Sequence, residues 1–531
     1  MRITKKLFSP KKKFTHPDQT TSPEIVPDGE LKNISRVLEQ NQTELERIFG
    51  KTVDMVLKEI HIGTQKGIIC YLQSMTDAKL ITEKIMEPLG NATTHDRHIF
   101  NKYEFSEFSK DFFSGLVYSF TDTFHQVALN ILSGYAVLMV EGIPETLAIH
   151  IEGIETRSIS ESTTQTIIRG PKDAFNESIS TNISLIRRRI KNPNLRFEGF
   201  TIGKDTQTSV VVAYIEGIAN QKVIEEVRNR VSRVNINAIF DSGNIEELIG
   251  DKTYTPFPLV YNSERPDTIA AHLTAGKIAI FVDGSPFVLS VPVVLTNFFD
   301  VSEDYFQPFL MSSFIRLVRY ASFLLSLLLP AIFVTLITYH FELIPTPLLV
   351  SIASQRENVP FPAIIELMLM DLTFEILREA GTRMPRAVGQ TVSIVGALVI
   401  GQAAVEAGII SNMMIIVVAI TAIASFVSPI YSFANSTRLL RFFLTMMGGI
   451  LGLYGVLLGM CAIFAHLVSL RSFGVPYLAP MAPFIVEDQK DVLIRMPLFH
   501  MKGRPKFLNT ESPINQPEII NPSPSKNRRP T

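Results

Sequence analysis

The pattern of apolar and polar positions divides the 531-residue chain into two parts. Up to about residue 308, short apolar runs alternate with amphipathic stretches, which is typical of mixed α/β structure in water. From residue 309 onward the apolar runs lengthen to about 20 residues, enough for a helix to cross a bilayer. The pattern therefore predicts a soluble α/β N-terminal region followed by an all-α, multi-pass membrane domain.

The soluble region is predicted to hold two mixed α/β subdomains, residues 31–155 and 166–308. An amphipathic helix pattern over residues 31–57 opens the first subdomain, and a strand pattern over residues 67–72 follows it. Residues 156–165 are rich in Ser and Thr and have no apolar period, as is typical of a linker. Beyond this linker, helix and strand patterns alternate again, which indicates a second lobe of the same class.

The membrane domain, residues 309–495, is predicted to cross the bilayer four or five times. The count depends on a charged helix that follows a turn at Pro360, Phe361 and Pro362, because this helix either spans, re-enters or lies flat. The apolar candidates for the other spans are residues 322–341, 388–407, 409–431 and 444–470.

Two stripes of small residues mark candidate packing faces within the membrane domain. Small residues about four positions apart let helix backbones approach closely in lipid. The partner in this packing is either a helix of the same subunit or a helix of a neighbouring subunit. The stripes are Gly389, Ser393, Ala397 and Gly401, and Gly448, Gly452, Gly455 and Gly459.

The charged helix carries the candidate chemistry of this chain. Ionisable groups at membrane depth are costly, so they usually face a protein interior or a water-filled path. The candidate residues for an ion path or gating helix are Glu366, Asp371, Glu375, Arg378 and Glu379. At about 100° per residue, the last four share one sector of the helix.

Three interpretations of this sector stay open. The helix is interfacial with a solvated face, on which Arg378 pairs with Glu375. Alternatively, its carboxylates form an acidic wall along a cation path. In the third interpretation, internal ion pairs only fix the packing of the helices.

Composition and motifs exclude several other functions. The formal net charge is −1, which gives no general bias toward nucleic acid. The two cysteines, Cys70 and Cys461, stand outside any metal-binding or disulfide pattern. Phosphate-binding and hydrolase motifs are missing from the sequence, so we expect neither a cofactor nor enzymatic activity.

The two ends of the chain are predicted to be disordered tails. Residues 1–30 are basic and then rich in Pro and Ser, and residues 496–531 are rich in Pro, Asn and Arg. The N-terminus lacks the apolar segment of a signal peptide, so we expect the soluble region to stay on the cytoplasmic side.

Several long strings in the sequence carry a family resemblance. They include IIRGPKDAFNESISTNISLIRRRIKNPNL at residues 167–195, YIEGIANQKVIEEV at 214–227, AGKIAIFVDGSPFVLSVPVV at 275–294 and SPIYSFANSTRLLRF at 428–442. The stretch at residues 353–409, which contains the Pro-Phe-Pro turn and the charged helix, belongs to the same set. On these strings the chain resembles the A subunits of nutrient germinant receptors of endospore-forming bacteria, the GerA family, from about residue 30 to 495.

This resemblance implies a function that the residue patterns alone do not give. Such A subunits act in the spore inner membrane with a transporter-like B subunit and a lipoprotein C subunit, with the N-terminal domain on the spore-core side. The family implies a homo-oligomer that couples germinant sensing to release of monovalent cations and to spore germination. Two alternatives are a non-conducting scaffold subunit and a secondary transporter, which would require inverted repeats.

Overall fold

The computed structural model describes residues 32–62, 65–92, 102–153, 161–162, 164–384 and 401–514. Lobe 1 is a five-stranded antiparallel sheet in the order β1-β2-β4-β5-β3, with helices packed on both faces. Its elements are α1 Leu38–Phe49, β1 Met55–Ile62, β2 Gln65–Leu72, α2 Ala78–Ile81 (continued by a π-helical turn, Thr82–Met86), α3 Glu87–Ala92, α4 Lys102–Phe112, β3 Tyr118–Thr121, α5 Phe124–Ile131, β4 Tyr135–Val140 and β5 Thr146–His150.

Lobe 2 repeats this topology. Its antiparallel sheet has the order β6-β7-β9-β10-β8, which is the order of lobe 1 shifted by five strands. Its elements are α6 Ile179–Arg189, β6 Leu195–Ile202, β7 Thr208–Ile215, α7 Gln221–Arg233, α8 Ser242–Ile249, β8 Tyr261–Ser263, α9 Pro266–Thr274, β9 Ile278–Val282 and β10 Val288–Val291. The prediction of mixed α/β structure in the N-terminal region is confirmed.

The two lobes also share local hydrogen bonds, which indicates an internal duplication. In α1, the Asn41 side chain bonds both the backbone N–H and the carbonyl of Ser35, and in α6 Asn182 does the same with Asn176. The hairpins that join the last two strands of each lobe contain VEGIPETL at residues 140–147 and VDGSPFVL at residues 282–289. These matching strings are the sequence signal of the repeat.

A buried ion pair joins the two lobes. The Arg187 guanidinium in α6 donates to both carboxylate oxygens of Asp54 at 2.9 Å, and both side chains are almost fully buried. Burial acts to raise the pKa of Asp54, but the charge and hydrogen bonds of Arg187 outweigh it and leave this pKa below its usual value. The basic end of α6 therefore serves the lobe interface.

The membrane half is helical, as predicted. Of the described helices, α10 and α15 are long and apolar enough to cross a membrane by length and composition, and α14 is a shorter apolar helix. The predicted span at residues 388–407 lies largely outside the described residues. The helices are α10 Phe309–Thr338, α11 Thr346–Arg356, α12 Ala363–Arg383, α13 Gly401–Glu406, α14 Asn412–Phe426 and α15 Tyr431–Ser469.

Helix α15 is a helical hairpin that reverses at Gly452. A straight helix would separate Ser436 from His466 by about 45 Å. Both residues nevertheless contact one short segment of lobe 2, since Ser436 donates to the carbonyl of Pro256 and the His466 ring lies 2.9 Å from the Thr255 hydroxyl. We call residues 431–451 the first arm and residues 453–469 the second arm. The expected straight span at residues 444–470 is therefore broken by a turn.

The turn depends on a glycine. Gly452 has φ +66° and ψ −150°, a conformation that side-chain-bearing residues avoid at a cost of about 1–3 kcal/mol. We expect Gly452→Ala to lower the melting temperature of the purified chain in detergent. Gly401→Ala is the matched control, because no atom of the described residues lies within 4 Å of a Cβ at Gly401. Equal melting temperatures for the two variants would contradict the assignment of Gly452 as the hairpin turn.

The segment after α15 returns to lobe 2. The backbone N–H of Phe473 donates to Asp251 at 2.6 Å, and Arg504 donates to the carbonyl of Thr274 at 2.9 Å. Residues 496–514, which the sequence places in a disordered tail, instead pack against lobe 2. Donors of this segment bond backbone carbonyls of lobe 2, and the Asn220 side chain of lobe 2 donates to the carbonyl of Asn509. We call residues 470–514, the segment after α15, the tail. The tail and the soluble lobes therefore lie on one side of the helical domain.

Candidate functional site

Helix α12 lies antiparallel to the first arm of α15 along most of its length. Three contacts show the register, because the 11 residues from the first to the last contact along α12 are matched by 11 residues back along the arm. These contacts are Ile364 with Gly449, Asp371 with Arg441, and Glu375 with Arg438. The charged helix thus runs beside the long apolar arm and does not lie across its end.

Glu366 holds the start of α14. Its Oε1 accepts hydrogen bonds from the backbone N–H and the hydroxyl of Ser411, both at 2.6 Å, and Ser411 is the residue that precedes α14. An anion is favourable at a helix N-terminus because of the helix dipole. The Arg356 guanidinium lies 3.7 Å from the other carboxylate oxygen. Glu366 therefore has a positioning role between α12 and α14.

Two ion pairs link α12 to the first arm, and we call them the junction. Asp371 and Arg441 are buried, with Nε and Oδ2 3.4 Å apart, and Glu375 pairs with Arg438. The two acids are four residues apart on α12 and the two arginines three residues apart on the arm, so each set lies on one helix face. The junction consists of Asp371, Glu375, Arg438 and Arg441.

The other charges of the predicted sector lie elsewhere. The Arg378–Glu375 pair of the interfacial interpretation does not form, because Arg438 reaches Glu375 from the neighbouring helix while the Arg378 guanidinium lies over the Phe426 ring at 5.0 Å. Glu379 pairs with Arg383 on the exposed surface at 2.6 Å. The sector therefore has a buried part and a surface part.

The junction keeps unused hydrogen-bonding capacity. Five polar atoms of the junction and one of the nearby Arg378 are buried and have no hydrogen-bond partner among the described residues. They are Asp371 Oδ2, Glu375 Oε2, Arg378 Nη1, Arg438 Nε, and Arg441 Nε and Nη2. A buried polar atom without a partner typically costs 1–3 kcal/mol. Several polar atoms of this region are therefore buried without a hydrogen bond, although Asp371 Oδ2 and Arg441 Nε face each other as an ion pair.

Three glycines of the second predicted stripe and the proline turn make contacts within this chain. Pro362 immediately precedes α12, so the Pro360–Pro362 segment forms its entry. A Cβ at Gly448 would meet Thr335 and Ala331 of α10, and one at Gly455 or Gly459 would meet the opposite arm of the hairpin. Gly389, Ser393 and Ala397 lie outside the described residues, and Gly401 begins α13.

A second charge cluster lies where lobe 2 meets α10 and the tail. Arg316 of α10 is completely buried and contacts Asp491 at 2.8 Å, Asp304 at 3.2 Å and Asp300 at 3.4 Å. Arg319 donates to both oxygens of Asp304 at 2.7 Å. We call these five residues the base network. It ties the end of lobe 2, the start of α10 and the tail into one unit.

Burial dominates the titration of Asp300 in the base network. It raises the pKa of Asp300 to about 7, although the nearby Arg316 charge acts in the opposite direction. The folded chain therefore holds a proton that the unfolded chain releases near pH 4. The contribution of Asp300 to stability is full below pH 4 and is lost as the pH rises to about 7.

Sequence reasoning missed the arginine partners of both clusters. Arg438 and Arg441 stand three residues apart beside an apolar run, and that spacing is the available signal. Asp300 and Asp304 precede Arg316 and Arg319 at similar spacing in the base network. Nothing in either pattern states which charges meet.

A two-lobed α/β region joined to apolar helices defines this chain as a membrane-associated protein with a soluble N-terminal domain. The family described as Bacillus/Clostridium GerA spore germination protein matches residues 43–507. Spore germination protein KA of Bacillus subtilis is 43% identical over 498 residues, which are 93% of this chain and 91% of that protein. Spore germination protein GerLA of Bacillus cereus is 42% identical over 396 residues, 75% of this chain and 80% of that protein. The chain belongs to the GerA family of spore germination proteins.

A solved structure is also similar to the N-terminal half. The crystal structure of the N-terminal domain of the A subunit of the Bacillus megaterium spore germinant receptor GerK3 is 33% identical to this chain. The match covers 50% of this chain and 99% of that structure, with a TM-score of 0.40. The family membership expected from the sequence strings is confirmed by the family match and the relatives.

Proposed function

We propose that this chain is the A subunit of a nutrient-germinant receptor in the spore inner membrane, where it couples germinant sensing to release of monovalent cations. In this proposal it assembles with a transporter-like B subunit, a lipoprotein C subunit and further copies of itself. Its lobes and tail lie on the spore-core side, and its helices cross the membrane several times. Membership of the GerA family supports the role in germination, and the GerK3 relative is the A subunit of a germinant receptor.

The junction is the observation that carries the proposed cation release. Asp371 and Glu375 are carboxylates inside an apolar helical domain, and ionisable groups in such positions commonly line ion pathways. Each acid is neutralised by an arginine of the neighbouring arm, so a passing cation meets free carboxylates only after the pairs separate. The arrangement is that of a closed state.

The junction has a direct mechanical connection to lobe 2. Ser436, which donates to the carbonyl of Pro256 in lobe 2, is two residues before Arg438 and five before Arg441 on the same arm. A displacement of lobe 2 at Pro256 therefore moves both arginines relative to α12. A germinant opens this junction only if the receptor binds it more tightly in the open state than in the closed state.

Neutralising the two acids tests the proposal. We expect Asp371→Asn with Glu375→Gln to slow germinant-triggered cation release from spores by tenfold or more, because the path loses its carboxylates. Release of K⁺ is measured with an ion-selective electrode, and receptor amount by immunoblot of spore membranes. Glu379→Gln is the control, because Glu379 belongs to an exposed surface pair.

Two other outcomes separate the alternatives. Normal release with a wild-type amount of receptor contradicts a role of the junction in conduction. Loss of the receptor from the membrane would instead indicate that the pairs only fix helix packing. The scaffold alternative is tested by reconstituting the chain with its partner subunits in vesicles, where the absence of cation flux from a folded assembly would favour it.

A further inference from the structure

The first turns of α10 have two faces of opposite character. Their inner face carries Ser312, Ser313 and Arg316, all buried against lobe 2 and the tail. Their outer face is apolar and exposed, with Leu310 at 71% and Phe314 at 62% of full exposure. An exposed stripe of this size on the aqueous part of a protein usually marks a contact surface.

The outer face continues without a break as far as Leu325, in the middle of α10. The exposed positions along it are Leu310, Met311, Phe314, Leu317, Val318, Ala321, Leu324 and Leu325. No charged or hydrogen-bonding side chain interrupts this stripe. A protein–protein interface in water generally has a polar rim, whereas a uniformly apolar stripe is typical of a surface in contact with lipid.

The length of α10 sets the depth of these turns. Its 30 residues span about 45 Å, which exceeds the hydrocarbon core of about 30 Å but equals the full bilayer with both headgroup layers. The far end of α10 lies level with the hairpin turn, since Tyr339, just after it, donates to the carbonyls of Gly449 and Ile450. Phe314 in the first turns is then about 37 Å from the hairpin turn along the helix axis, which is beyond the length of the hydrocarbon core and on the side of the lobes.

The tail extends the same surface beside α10. Ser313 of α10 donates to the carbonyl of Arg495 at 3.1 Å, which fixes this part of the tail along the helix. The neighbouring Leu493 and Ile494 are about half exposed. We call Leu310, Phe314, Leu317, Leu493 and Ile494 the base patch.

We propose that the base patch seats lobe 2 in the interfacial layer of the phospholipid bilayer. The occupant is lipid, at the boundary between headgroups and acyl chains. The base network lies directly behind the patch, so lipid excludes water from that side of Arg316. Tilting of lobe 2 would then change both its lipid contact and the position of α10. The inference rests on the proposed membrane crossing of α10 and is independent of cation release.

Tryptophan fluorescence tests the depth of the patch, because the natural chain contains no Trp. We expect the full-length Phe314→Trp variant, reconstituted in phosphatidylcholine–phosphatidylglycerol vesicles, to be quenched at least twofold by lipids brominated near the glycerol end of the acyl chain. Quenching by lipids brominated near the chain terminus should be weaker. Leu317→Trp serves as a second reporter if the first variant is produced poorly.

Two control variants give the limits of the measurement. Phe464→Trp lies on the exposed face of the second arm, and its quenching by the deeper bromines verifies that the helices cross the bilayer. Tyr103→Trp is exposed on lobe 1 and should not be quenched. If Phe314→Trp behaves like Tyr103→Trp while Phe464→Trp is quenched, the inference is overturned although the membrane crossing stands.

A second copy of the chain is the competing occupant. If a second copy covers the base patch, lipid does not quench Phe314→Trp, and Leu310→Cys in a Cys461→Ser background forms a disulfide-linked dimer. Lipid contact predicts quenching and no such dimer. A dimer without quenching would therefore also overturn the inference.

Discussion

Spores that carry Arg438→Met and Arg441→Met together are expected to release monovalent cations without any nutrient. Each substitution leaves a carboxylate of α12 without its partner. Breaking the buried Asp371–Arg441 pair costs about 3–5 kcal/mol, and breaking the partly exposed Glu375–Arg438 pair adds a smaller cost. An open, hydrated arrangement relieves that cost, so the equilibrium shifts toward it. About 5.5 kcal/mol suffices to move a two-state equilibrium from 1:99 to 99:1. The two broken pairs together therefore supply a free-energy change of the size needed for constitutive opening.

The measurement is K⁺ in the medium of dormant spores over time, at matched receptor amounts. Arg383→Met is the control, because Arg383 is 79% exposed and pairs with Glu379 only at the surface. Retention of K⁺ by the double arginine variant at a normal receptor amount would contradict a closing role for the junction.

A fourfold variant makes the test sharper. Adding Asp371→Asn and Glu375→Gln to the two arginine substitutions removes all four charges, so no buried charge is left unpaired. We expect the fourfold variant to lose the spontaneous leak. A leak of equal size in both variants would point to damaged helix packing as its cause.

The two soluble lobes were predictable because their signals are local. The apolar run over residues 67–72 lies within β2, and the helical pattern over residues 31–57 contains α1. The duplication was not found, although the strings around Gly142 and Gly284 match, because a repeat of about 140 residues is seen only when the whole region is compared with itself. Local pattern therefore predicted the class of each lobe but not their relation.

The charges of α12 show the limit of such signals. The helical period predicted that Asp371 and Glu375 share one face. It could not predict Arg438 as the partner of Glu375, because 63 residues separate the two in sequence. One of the three interpretations paired Glu375 with nearby Arg378 at the i+3 position, but the tertiary contact with Arg438 forms instead.

The hairpin in α15 was hidden for a different reason. Hydropathy averages over windows of about 19 residues, so one glycine inside a continuous apolar run leaves no trace. Gly452 also fitted a stripe of small residues with Gly448 and Gly455, which favoured helix packing as its explanation. Its left-handed conformation becomes visible only in the folded chain.

The base network yields the second large effect. We expect Arg316→Met to lower the stability of the full-length chain by about 3–5 kcal/mol, since Arg316 is completely buried among three carboxylates. In this variant Asp304 still pairs with Arg319, and Asp491 still accepts a hydrogen bond from the Tyr305 hydroxyl. The base network is therefore weakened but not abolished. The measurement is the shift of the unfolding midpoint in denaturant, in detergent micelles.

A matched substitution separates the burial of Arg316 from its charge. Arg471→Met removes an exposed arginine near the end of the second arm and should change the midpoint little. Adding Asp491→Asn to Arg316→Met should cost less than the sum of the two single substitutions, because each single change leaves a buried charge with fewer partners. Strict additivity would show that Arg316 and Asp491 do not interact.

Because the network joins lobe 2 to α10, we also expect Arg316→Met to weaken germinant-triggered K⁺ release beyond any loss of receptor. A response in proportion to the remaining receptor would contradict coupling through this network.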